Sequence, residues 1–136
     1  MQTDKTDMSF NANKTIQELQ NNMFGHIEKL EGYMLENSFF EFLLGEPMYK
    51  TNKMNLIESF EKLIKRIAIV KKKSEHLINE VNLHVNQIYK KIECEDLYCD
   101  NFFIENHNRL ESEIKALDVE FAAIKAQMFS YLQKVN

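Results

Sequence analysis

Glycine and proline are scarce in this chain, with three Gly and one Pro in 136 residues. Globular proteins average ~7% and ~5% of each, so tight turns have few places to form and long uninterrupted elements are expected. The only cysteines are Cys94 and Cys99, which excludes a disulfide framework. With His107 they do not make a zinc site, whose ligand pairs lie about two to four residues apart. No apolar run approaches the ~20 residues of a membrane span. A dominant charge sign is also lacking: the net charge is -4, which argues against general affinity for nucleic acid. Phosphate loop, HExxH and nucleophile elbow are all absent. The chain therefore reads as non-catalytic and without a cofactor.

What is present is helical periodicity. Ile16, Leu19, Met23, Ile27, Leu30 and Met34 recur with a mean period of 3.6, the spacing of an amphipathic helix, which Asn13 is placed to cap. An aromatic-rich stretch follows, and Ser38 with Glu41 has capping-box spacing, so the segment reads either as one helix or as two with the second starting there. Gly45 and Pro47 stop the element. In the second segment Leu56, Phe60, Leu63, Ile67, Val70, Ser74, Leu77, Val81, His84, Ile88 and Lys91 alternate steps of four and three, a heptad seam with polar interruptions. Ile57, Ile64, Ile78, Val85 and Ile92 form a second column beside it, which suits contact with two neighbouring helices. The third segment repeats the pattern from Phe103 through His107, Leu110, Ile114, Leu117, Phe121, Ile124, Met128 and Tyr131 to Val135.

These patterns predict an all-α fold, an elongated antiparallel bundle or coiled coil of about three long helices. Helices are expected near 14–44, 52–93 and 101–135, after a disordered polar tail over 1–13. The acidic linker from Glu93 to Asn101 suits a chain reversal, with Asp100 or Asn101 capping the third helix; one bent continuous helix is the alternative. Charge favours folding back: residues 51–92 carry a net +5 between segments of -4 and -5, so a basic middle helix can pair with two acidic ones, or else with an acidic partner.

The candidate sites are few. Phe39, Phe40, Phe42, Leu43, Leu44, Met48 and Tyr49 form a patch that either binds a partner or plugs the bundle end. Leu117, Phe121, Ile124 and Met128 are the seam stretch of the third helix expected to meet partner helices. Lys71–Lys73 reads as a solvated face. His84 and His107 take seam positions at similar distances from the turn, which suggests a register-fixing polar layer, or else a shared metal ion or pH-sensitive layer. Gly25 and Gly32, one heptad apart, either mark a close backbone approach or are surface residues.

Leu30-Glu31-Gly32-Tyr33 closing a first helix, Ile88-Tyr89-Lys90-Lys91-Ile92-Glu93 ending a second, and a helix around Ile104-Glu105 to Leu117 together resemble the small coiled-coil shoulder subunit of dynactin, the dynein activator. The resemblance spans roughly residues 16–118 and implies a scaffold role beside other shoulder proteins in microtubule-based transport. The residues themselves point to a helical subunit whose partners are other helical proteins, in the cytoplasm, at the cytoskeleton or in the nucleus. A self-contained three-helix binding module, and a subunit of a kinetochore, tethering or transcription-adaptor complex, remain as alternatives.

Overall fold

A computed structural model describes residues 16–51, 53–91 and 97–135. Among these there are three long helices and no strand: α1 (Ile16–Gly45), α2 (Met54–Lys91) and α3 (Leu97–Val135), with a 3-10 turn at Pro47–Tyr49. At 1.5 Å per residue, α2 and α3 each run about 55–60 Å. The expected tail, the Asn13 cap and Cys94 lie outside the described residues.

Gly45 and Pro47 do end α1, but proline supplies the reason. No glycine adopts a positive φ. Pro47 instead holds Glu46 in an extended conformation (φ -77°, ψ 137°), as the residue before proline prefers. Short-range hydrogen bonds from the Glu46 N–H to Leu43 O (3.0 Å) and from the Tyr49 N–H to Glu46 O (3.1 Å) carry the chain round. The Lys53 N–H then donates to Thr51 Oγ1 at 3.1 Å just ahead of α2.

The heptad seams become the core. On α2, Leu56, Leu63, Ile67, Val70, Leu77 and Val81 are buried, as are Phe103, Leu110, Ile114, Leu117, Phe121, Ile124, Met128 and Tyr131 on α3. The second column on α2 is also used: Val85 is buried, and Ile64 and Ile78 pack against the core. A column that wide is needed because α2 lies along both other helices.

Direction follows from the side-chain pairs. Arg66 meets Gln127, Lys73 meets Glu120 and Arg109 meets Glu80, so α3 descends as α2 ascends. Helices α2 and α3 are therefore antiparallel. His26–Glu111, Lys29–Asp118 and Glu36–Lys125 rise together, so α1 and α3 are parallel. These two helices have few close backbone approaches, and rings fill the wider gap. Tyr33 and Phe40 lie 4.3 and 6.3 Å from the Phe121 ring.

Two expectations change. Leu30–Tyr33 sits in mid-helix and closes nothing, and α3 starts at Leu97, ahead of the Asp100 and Asn101 caps. Two alternatives are decided. Helix α1 is unbroken through Ser38, because Asn37, Phe40 and Leu44 are buried there and burial holds the helix together where a local cap signal would start a new one. Gly25 and Gly32 are surface residues, since a Cβ on either would meet nothing within 4 Å.

Candidate functional site

The structure divides the aromatic patch of α1. Phe40 and Leu44 are core residues, and Leu43 packs against the core. Tyr49 is half-buried, and its carbonyl oxygen accepts the Tyr131 hydroxyl at 2.8 Å. Phe39, Phe42 and Met48 are exposed by 56%, 61% and 71%. Leu117, Phe121, Ile124 and Met128 are nearly inaccessible within the chain's own bundle. Their assignment to a partner surface is corrected, together with that of Phe40 and Leu44: packing inside one chain already uses these faces.

Phe39 and Phe42 belong to a surface longer than the patch. Phe24, Glu28, Glu31, Leu35, Phe39 and Phe42 succeed one another at steps of three or four along the outward side of α1, all exposed. Leu35 is the most open of the apolar members at 74%. Lys29 and Glu36, further round the helix, turn aside to Asp118 and Lys125. Glu28 and Glu31 make no ion pair among the described residues. The stripe is therefore aromatic and acidic.

On α2 the lysine cluster divides in the same way. Lys71 Nζ reaches Glu41 of α1 at 2.7 Å, and Lys73 Nζ reaches Glu120 of α3 at 2.8 Å. Only Lys72 faces water alone. The pairing of a basic α2 with acidic neighbours is thus partly realised. The Arg109–Glu80 pair has the opposite polarity, and the two acidic helices also bridge each other.

Three of the four histidines, His26, His84 and His107, come together around one buried polar network. The Asn106 amide donates to His84 Nδ1 at 3.0 Å, and His84 Nε2 lies 3.2 Å from His107 Nδ1. Both rings are essentially inaccessible. His107 Nε2 faces Glu111 Oε1 at 3.7 Å, and the other oxygen of Glu111 lies 3.0 Å from His26 Nε2. Burial, reinforced by the nearby basic side chains of His107 and Arg109, lowers the His84 pKa to about 4. A neutral His84 that accepts at Nδ1 carries its proton on Nε2 and donates it to His107 Nδ1. His107 then bears its proton on Nε2, towards Glu111. The polar chain thereby links all three helices: α2 by His84, α3 by Asn106, His107 and Glu111, and α1 by His26. Among the described residues no group of three or more His, Cys, Asp or Glu side chains is placed to hold a metal ion. His76 stands apart, paired with Glu80 on its own helix.

One core residue escaped the sequence reading. Asn37 is fully buried, and neither its carboxamide nitrogen nor its oxygen has a hydrogen-bond partner among the described residues. Continuing the spacing of seven from Met23 and Leu30 through Asn37 to Leu44 would have found it, since all four are wholly inaccessible.

Comparison with known proteins finds no matching family, no matching curated protein and no matching solved structure. Among the described residues no helix is long and apolar enough to cross a membrane.

Proposed function

We propose that this chain is a non-catalytic helical interaction module, a subunit of a larger protein assembly that docks through the outward face of α1. The observation that carries the reading is the exposed row of Leu35, Phe39 and Phe42, with Phe24 further along the same face beyond Glu28 and Glu31. Contiguous exposed apolar side chains on a folded domain are the usual mark of a protein contact. Internal packing gives no account of them, because the three seams are already closed against one another. That closure also favours a module that folds by itself, as three helices with matched seams do. The dynactin shoulder is the assembly that the sequence resemblance nominates. It stands on motifs alone, and Leu30–Tyr33, in mid-helix, lends it no support.

The test is affinity purification with mass spectrometry, comparing the tagged wild-type chain with a Phe39→Lys/Phe42→Lys variant. Both positions are exposed, so circular dichroism is expected to be unchanged while a specific set of helical proteins is lost. Identical sets of co-purifying proteins from the two chains would overturn the reading.

A further inference from the structure

We propose that the occupant of the α1 face is a second copy of this chain, presenting the outward side of its α2. The inference rests on the reading of α1 as a docking face and supplies the partner.

The two surfaces match in spacing and in charge. On α2, Lys62, Lys65, Ile69, Lys72 and His76 follow one another at alternating steps of three and four, all exposed. Ile69 is open by 52%. Lys62, Lys65 and Lys72 make no ion pair among the described residues. On α1, Glu28, Glu31 and Leu35 have the same intervals as Lys62, Lys65 and Ile69. With the two helices side by side and parallel, Glu28 meets Lys62, Glu31 meets Lys65 and Leu35 meets Ile69. Phe42 then comes level with His76, and Phe39 lies within one residue of Lys72, whose ammonium over an aromatic face adds attraction. Read in the opposite direction, the intervals still set Phe24 against Ile69, Glu28 against Lys65 and Glu31 against Lys62, but Leu35, Phe39 and Phe42 then run past the end of the lysine row, so the parallel register uses more of the stripe. Two α1 faces placed in parallel register would set Glu28 and Glu31 against their own kind, which like-charge repulsion disfavours.

The arrangement is head-to-tail. The α1 stripe points directly out of the bundle, whereas the α2 stripe lies on the side turned towards α3. Arg66 and Lys73, one position further round, reach Gln127 and Glu120, and His76 lines the groove shared with Glu113 and Glu120. A neighbour seated on one stripe leaves the other free, so the contact is heterologous and propagates from copy to copy.

Light scattering of the purified full chain tests this through charge exchange. Wild-type mass is expected to rise with concentration. Glu28→Lys/Glu31→Lys alone and Lys62→Glu/Lys65→Glu alone are each expected to hold the mass of one chain, because each makes its two stripes alike in charge. Mixed in equal amounts, the two variants are expected to regain the wild-type mass. Leu35→Gln, which leaves charge unaltered, should lower the mass as well. A wild-type chain that stays monomeric, single variants that associate as the wild type does, or a mixture without rescue would each overturn the proposal. None of these results depends on the Phe39→Lys/Phe42→Lys co-purification. Loss of partners there beside a monomeric wild type would remove self-association and leave the docking face standing.

Discussion

His84 Nε2 and His107 Nδ1 lie 3.2 Å apart in the core and join α2 to α3 by a buried hydrogen bond. A bond of this kind requires at least one ring to be neutral, because two imidazolium rings offer only donors. Burial, reinforced by the nearby basic side chains of His107 and Arg109, holds the His84 pKa at about 4. The folded chain thus binds fewer protons at this site than the unfolded chain, whose histidine titrates near 6.5.

This sets a pH dependence with a definite sign. Stability supplied by the lowered pKa is fully present above pH ~6.5 and declines as pH falls towards ~4, because the unfolded state takes up the proton first. The loss is about 2–3 kcal/mol, following from 1.36 kcal/mol per pKa unit. Thermal melting at pH 7 and pH 4.5 should therefore differ, and His84→Gln should flatten the difference. An equal slope in wild type and variant would assign the acid sensitivity to other groups.

Asn37 contributes the opposite kind of polar burial. Its carboxamide is fully enclosed with no partner among the described residues, and an unsatisfied buried amide costs roughly 1–3 kcal/mol. Asn37→Leu, similar in volume, should raise the denaturant midpoint by an amount equivalent to about 1–2 kcal/mol. A lower midpoint would mean that Asn37 has a partner or fixes the helix register, as a polar residue at a seam position can.

The contrast between Asn37 and His84 also marks what could be read from sequence. The seams of α2 and α3 were legible position by position, because a heptad repeat is a local pattern and each buried residue falls on it. His84 and His107 were legible as a layer, since equal distance from a reversal brings them level. On α1 the pattern was obscured. Phe39, Phe40 and Phe42 are neighbours in sequence, and only the continued column from Met23 to Leu44 separates the buried Phe40 from its two exposed neighbours. Ser38 and Glu41 mimic a helix start, yet Glu41 pairs with Lys71 of α2. The ring contact of Tyr33 with Phe121 belongs to two parallel helices whose spacing no local period encodes.

Gly32 offers a test of the α1 backbone. It lies in mid-helix, exposed, and a Cβ there meets nothing within 4 Å. Gly costs about 1 kcal/mol relative to Ala in a helix interior. Gly32→Ala should therefore stabilise the chain by about that amount in urea unfolding. Destabilisation would mean that the helix bends, or meets another surface, at this point.

Leu117 and Lys72 define the extremes of the bundle. Leu117 is 2% exposed and belongs to the continuous core. Leu117→Asp buries a carboxylate with no partner there and deletes a large apolar side chain, changes that together cost upwards of about 4 kcal/mol. That is a large part of the ~5–15 kcal/mol typical of a whole domain. Lys72 faces water without an ion pair, so Lys72→Ala should shift stability by no more than about 0.5 kcal/mol. Lys71→Ala and Lys73→Ala fall between, because each removes a partly exposed inter-helix bridge worth about 0.2–1 kcal/mol. Circular dichroism melting of the four variants orders them directly. Leu117→Asp melting like Lys72→Ala would mean that the α3 seam does not face the core.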